Sequence, residues 1–136
     1  APNSKHIIFN LANTSFRAGH YATAYDEMQR LLELDPNDHE AHLISGICAF
    51  KLGQFEESRR HFEQVVRLEP MIAEGYYNLH LAYLKMGHVG AARSYYAEAV
   101  RLEPNIRSES YRQSLKYAPL KPVILGGTDS EEESDS

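Results

Sequence analysis

Between residues 39 and 72 the chain carries two helical stripes. Leu43, Ile44, Ile47, Phe50 and Leu52 recur at helical spacing, and Gly53 follows the last of them. Phe55, Phe62, Val65, Val66 and Leu68 form the second stripe, which Pro70 ends. Apolar residues at this spacing predict one buried face of an α-helix. A glycine just past the stripe permits the left-handed cap conformation. Proline stops the second helix, because its ring removes a donor and clashes with the preceding turn. The pattern predicts two helices joined by a short glycine turn.

The same pattern returns every 34 residues. Gly19, Gly53 and Gly87 are 34 apart, as are Pro36, Pro70 and Pro104. Each proline closes a similar segment: Leu31 to Pro36, Val65 to Pro70, and Ala99 to Pro104. A fixed period in the range of 20–50 residues marks stacked supersecondary units. The units divide at 5–38, 39–72 and 73–106. Such stacks usually offer an extended surface to a partner rather than a catalytic pocket.

These units resemble tetratricopeptide repeats, the 34-residue helix-turn-helix modules. In that family small residues sit where the two helices touch, an aromatic opens the second helix, and a proline follows it. Here the small pairs are Ala12 with Ala24 and Gly46 with Ser58, and the opening positions hold Tyr21, Phe55 and Val89. The third unit carries Tyr76, Leu79, Tyr83, Ala92, Tyr96 and Ala99, close to the full signature. The resemblance covers about three quarters of the chain. It implies an all-α, right-handed α-solenoid of three helix-turn-helix units. His80 departs from the pattern at a close-contact position, facing the small residues Gly90, Ala91 and Ala92, so a sterically compensated histidine is expected. His42 stands where the family often has a large apolar residue.

Residues 107–118 are expected to form a capping helix, with Tyr111 and Leu115 four apart. Pro119 and Pro122 then stop helical structure, leaving an apolar extended segment to Leu125 and a Gly126-Gly127 hinge. Residues 128–136 are acidic, Ser-rich and too polar to fold alone.

Charge sharpens this division. The net charge is −5, and Asp129, Glu131, Glu132, Glu133 and Asp135 supply it. Without those five, 14 acids stand against 14 Lys and Arg. A neutral body argues against nucleic acid, which needs a basic footprint. No apolar run approaches the roughly 18 residues that span a membrane, and the first residues lack a signal-peptide pattern, so no membrane insertion is expected. Cys48 is the single cysteine, which rules out an internal disulfide and fits a reducing, cytoplasmic setting. The chain opens almost on its first helix, as a piece of a longer protein with its targeting segment elsewhere would.

The family resemblance implies that each first helix lines a concave groove through its second, fifth, sixth, ninth, twelfth and thirteenth positions. Unit one places His6, Phe9, Asn10, Asn13, Phe16 and Arg17 there. Unit two places Glu40, Leu43, Ile44, Ile47, Phe50 and Lys51, and unit three Glu74, Tyr77, Asn78, Leu81, Leu84 and Lys85. Tyr111 and Leu115 extend the row. An exposed apolar strip of this length marks a binding site for a protein or peptide. Phe50, Tyr77 and Leu81 are its expected central anchors. Asn10 and Asn78 share the sixth position, where an amide can bond a peptide backbone. Arg17, Lys51 and Lys85 form a basic row beside the strip.

Some members of the family grip the terminal carboxylate of heat-shock chaperones with two Lys, two Asn and one Arg. Those positions fall here on Phe9, Asn13, Ile44, Glu74 and Asn78, and only Asn13 matches a clamp residue type at its own place. A carboxylate would meet Phe, Ile and Glu, so the groove suits an apolar segment or amphipathic helix instead. In this it resembles the apolar-grooved members, including three-repeat bacterial secretion chaperones.

The C-terminal segment is expected to fold back into its own or a neighbour's groove until a partner displaces it, aided by high effective concentration. That arrangement allows homo-oligomers through groove or tail. Thr128 and Ser130 each have Glu three residues on, a pattern for acidophilic kinases. Chemistry has little foothold elsewhere. His39 and His42 lie three apart, but no Cys or acidic pair completes a metal set, so no metal or cofactor is expected. No phosphate-cradling glycine loop and no nucleophile in a strained turn is present, which argues against an enzyme. Two alternatives stand beside the adaptor or chaperone-like scaffold: a self-associating subunit of a larger assembly, and a regulatory domain cut from an enzyme.

Overall fold

The computed structural model describes residues 4–117. The C-terminal extended segment, the acidic tail, Thr128 and Ser130 lie outside that range, as do the expectations attached to them. The fold is all-α: among the described residues there are seven α-helices, one 3-10 turn and no strand. Although the length is that of one domain, contacts divide the described residues into two compact units, with the boundary after Pro70.

The first unit holds α1 (Ser4–Arg17), α2 (Tyr21–Leu34), α3 (His39–Lys51) and α4 (Phe55–Leu68). α1 pairs with α2 and α3 with α4, and α3 also packs on α2 and α1. The glycine turns form as the spacing predicts. Gly53 has φ of 78°, its N–H donates to Phe50 O at 3.0 Å, and Gln54 N–H donates to Ala49 O at 2.8 Å. This is a Schellman cap, which satisfies carbonyls that the helix end leaves open. Gly19 and Gly87 repeat it at φ of 83° and 80°. At its start α3 is capped by Asp38, whose Oδ1 accepts from Ala41 N–H at 3.0 Å.

Small residues set the separation within each helix pair. Ala12 and Ala24 are fully buried. A Cβ on Gly46 would lie 2.4 Å from the Phe62 ring, so only glycine lets α3 and α4 approach this closely. Ser58 Oγ donates to Gly46 O across the same contact at 2.7 Å. Met28, Leu31, Phe62 and Val65 close the core around α3. The solvent side of α4 carries ion pairs of Arg59 with Glu56 and Glu63 and of Arg60 with Glu57.

The second unit holds α5 (Ala73–Lys85), α6 (Val89–Leu102), a 3-10 turn (Pro104–Arg107) and α7 (Glu109–Gln113). His80 stands where Gly46 stands in the first unit, and of the three small residues expected to face it Ala92 makes the contact, whereas a Cβ on Gly90 would meet nothing within 4 Å. His80 Nδ1 donates to Ala92 O at 2.9 Å, and Ala92 is fully buried. The capping helix is shorter than 107–118. Residues 104–107 form the 3-10 turn, and Ser108 starts α7 by accepting from Tyr111 N–H at 3.4 Å. Ser114 ends it, its hydroxyl donating to Tyr111 O at 2.6 Å. Leu115 therefore lies beyond the helix. Arg112 is buried, bonds Ile106 O at 2.7 Å and sits 5.0 Å from the centroid of the Tyr77 ring, which fastens the cap to α5.

Candidate peptide-binding site

The first helix of each pair, α1, α3 or α5, carries the residues expected to line a groove, and the structure sorts them into three groups. Asn10, Arg17, Lys51 and Lys85 are exposed. Phe9, Asn13, Phe16, Phe50, Leu84 and Tyr111 are half-buried. Leu43, Ile44, Ile47, Tyr77, Asn78 and Leu81 are buried. The last group corrects the expectation of an open apolar strip.

The cause is packing on several sides of the same helix. α3 has α1, α2 and α4 around it, and all nine residues from Ala41 to Ala49 are buried. In the second unit Tyr77 packs against His80, Tyr96 and Arg112, so the cap covers what the pattern leaves open. Burial also pushes the Tyr77 phenol up to about 12. Tyr77 and Leu81 are core residues, and of the three expected anchors Phe50 alone keeps an accessible face.

What stays accessible in the first unit is an aromatic edge near the ends of the first helices. Phe50 packs edge-on against Phe55 with centroids 5.1 Å apart, and Phe16 packs edge-on against Tyr21 at 6.0 Å. These rings are fixed by a neighbour yet half open, with the exposed cations Arg17 and Lys51 one residue beyond them. Phe9 lines a separate hollow of about 240 Å³ with Lys5, His6, Asp38 and Glu40. Lys5 Nζ holds Asp35 at 2.6 Å and Asp38 at 2.9 Å, and these bonds raise its pKa to about 12. That ammonium is committed to tying α1 to the loop before α3.

The shared amides behave differently from one another. Asn10 is exposed and free to meet a backbone, whereas Asn78 is fully buried with neither Oδ1 nor Nδ2 hydrogen-bonded. Asn13 Oδ1 is also buried and unbonded.

In the second unit a cavity of about 270 Å³ opens between α5, the 3-10 turn and α7. Met71, Ile72, Ala73, Glu74, Leu102, Glu103, Ile106, Tyr111 and Leu115 line it. Burial alone raises the Glu74 carboxyl to about 7, and its Oε2 is sealed from solvent without a partner. The sequence around Glu74 does not signal this, because beyond the adjacent Met71, Ile72 and Ala73 the walls come from residues 28 to 41 positions away.

His39 and His42 diverge: His39 Nδ1 reaches Glu69 at 3.5 Å, and His42 turns inward to His61. Among the described residues no group of three His, Cys, Asp or Glu is placed to hold a metal. Cys48 is fully buried, and burial pushes its thiol up to about 12. No described helix is long and apolar enough to cross a membrane.

Helix pairs of this size, closed by glycine and proline at a 34-residue interval, define a helical-repeat protein. The family described as "TPR repeat" matches residues 49–87, and "Tetratricopeptide repeat" matches 73–106. Residues 1–65 match "Anaphase-promoting complex, cyclosome, subunit 3". The chain belongs to the tetratricopeptide-repeat family. No curated protein matches its sequence significantly. Among solved structures it is similar to MamA, with a TM-score of 0.75 at 25% identity over 82% of this chain. It spans 65% of that chain's length. The first repeat domain of Spaghetti (RPAP3), bound to the HSP90 peptide SRMEEVD, is similar at a TM-score of 0.72 and 20% identity. That likeness covers 77% of this chain and 83% of the other.

Proposed function

We propose that this chain is a non-catalytic protein–protein interaction module, an adaptor or scaffold that binds an apolar peptide segment or amphipathic helix through its first-helix faces. The observation that carries this reading is the half-open aromatic edge of Phe16 and Phe50, each braced by a second ring and flanked by an exposed cation. Aromatic side chains held in place offer large contact area at little entropic cost. Phe9, Asn10 and Asn13 extend the candidate surface in the first unit, and Leu84, Lys85 and Tyr111 supply one in the second.

The solved Spaghetti (RPAP3) domain holds an HSP90 peptide, which supports peptide binding as a use of this fold. The ligand class differs. Phe9, Ile44 and Glu74 replace clamp positions by an aromatic, a buried aliphatic and an acid, none of which holds a carboxylate. Selection from a displayed peptide library tests the reading. Enriched peptides rich in Leu, Ile, Phe or Pro that bind the full chain support it. Enrichment of acidic C-termini, or no enrichment, sinks it.

A second reading, self-association, draws on α1. Ile7 and Leu11 lie four apart on α1, 58% and 53% exposed, an apolar pair that a second copy would cover. Concentration-dependent light scattering, abolished by Ile7→Glu, tests it. The cytoplasmic setting and the lack of nucleic-acid binding belong to the same proposal.

A further inference from the structure

We propose that the cavity under the cap is a socket for an ammonium group on an apolar stem, the side chain of a lysine in the bound peptide. The inference rests on the peptide-binding reading and names one residue type its ligand presents. The cavity offers apolar walls in Leu102, Ile106 and Leu115, with the carboxylates of Glu74 and Glu103 and the phenol of Tyr111 among them. At about 270 Å³ it falls below the usual range of small-molecule pockets, about 300–1,000 Å³, and suits one side chain.

Charge decides what kind of side chain. Among the described residues lining the cavity there is no Lys, Arg or His. Glu103 is already engaged: its Oε2 accepts from Asn105 N–H at 3.4 Å, and Tyr111 bonds its carboxyl. Glu74 is not engaged, since its sealed Oε2 has no hydrogen-bond partner. The guanidinium of Arg112, in the same unit, is spent on Ile106 O and the Tyr77 ring. An unpaired buried carboxylate costs free energy that an entering cation recovers. The raised Glu74 pKa, for which burial is the cause, agrees with a carboxyl that lacks a counter-ion. The last carboxyl torsion of glutamate is broad and two-fold, so either oxygen can turn to the guest. A carboxylate or phosphate is excluded by like charge, and a long apolar group would leave Glu74 unpaired.

The probe is n-butylammonium, a lysine side chain without its backbone, with n-butanol as the neutral isostere. Both are titrated into the full chain and followed by amide chemical shifts of residues 74, 103 and 111. Saturable shifts with n-butylammonium, at least tenfold weaker with n-butanol, are expected. Glu74→Gln, nearly isosteric, weakens the cation at least tenfold while helical circular dichroism stays unchanged. Leu115→Lys places an ammonium on the wall and blocks the probe, which covers the case in which the Gln variant folds poorly. Equal binding of n-butanol, or full affinity in Glu74→Gln, overturns the proposal. If selected peptides bind but n-butylammonium does not, the socket alone is wrong. If the cation binds and no peptide does, the peptide reading is wrong.

Discussion

His42 Nδ1 and His61 Nδ1 face each other at 3.0 Å, so one of the two must carry a hydrogen and the other a lone pair. The assignment follows from the far end. His42 Nε2 lies 2.8 Å from Pro36 O, which only accepts, so His42 donates there and its Nδ1 accepts from His61. His61 Nε2 is then an acceptor, 3.2 Å from Tyr25 Oη. Tyr25 has one hydrogen and a second acceptor, Glu57 Oε2, at 3.1 Å. One more proton, on His61 Nε2, would bond every contact. Burial opposes it, followed by the charges of His42 and Arg60, and lowers the His61 pKa to about 4. Burial also lowers that of His42.

A pH dependence follows. His61 is depressed in the folded state, so the unfolded chain binds more protons between the ordinary value near 6.5 and about 4. The neutral ring's contribution is complete above about pH 6.5 and is lost as pH falls through that window. The expected loss is on the order of 2 kcal/mol in urea unfolding. His61→Gln should flatten the slope, and an unchanged slope contradicts the neutral pair.

Glu74 should act with the opposite sign. Its folded pKa is raised from 4.5 to about 7, so its protonated form favours the fold below about 4.5, and that stability is lost as pH rises to 7. Glu74→Gln is expected to stabilise the chain by about 2 kcal/mol at pH 8, with the difference fading in acid. Thermal melts at pH 4 and pH 8 check this.

The helix-helix contact reverses its donor between repeats. Ser58 on α4 donates to Gly46 O on α3, and His80 on α5 donates to Ala92 O on α6. Gly46→Ala should cost about 1–3 kcal/mol, because its Cβ overlaps the Phe62 ring. Gly90→Ala, with nothing near its Cβ, should be neutral or gain up to about 1 kcal/mol. In a His80→Gly background, adding Ala92→Ser should recover about 1 kcal/mol by restoring a cross-helix donor. No recovery by urea titration would show that the two contacts are not equivalent.

Asn78 keeps a buried amide with no hydrogen bond. An apolar replacement of similar size, Asn78→Leu, is expected to stabilise by about 1–2 kcal/mol. A loss of stability instead would mean that the amide is bonded in solution.

Much of this was legible in the sequence, and the reason is local. The glycine caps, the proline stops and the close pairs at Ala12, Gly46 and His80 depend on residues within one 34-residue unit, so spacing alone exposes them. The open groove was not, because burial of Ile44 and Ile47 depends on how α1, α2 and α4 pack around α3, and that of Tyr77 on Arg112 reaching back from the cap. The cap itself was overextended, since Tyr111 and Leu115 keep helical spacing although Ser114 ends the helix. The His42–His61–Tyr25 chain joins three helices and leaves no mark in any one of them.

The most direct measurement is the affinity of a library-selected apolar peptide, read by fluorescence anisotropy, for the full chain and for its Phe16→Ala/Phe50→Ala variant. Both rings are half-exposed, so the variant should keep its fold, which circular dichroism checks. A loss of tenfold or more, about 1.4 kcal/mol or beyond, is expected for anchors in a binding face. Unchanged affinity in the folded variant would contradict peptide binding through the first-helix face.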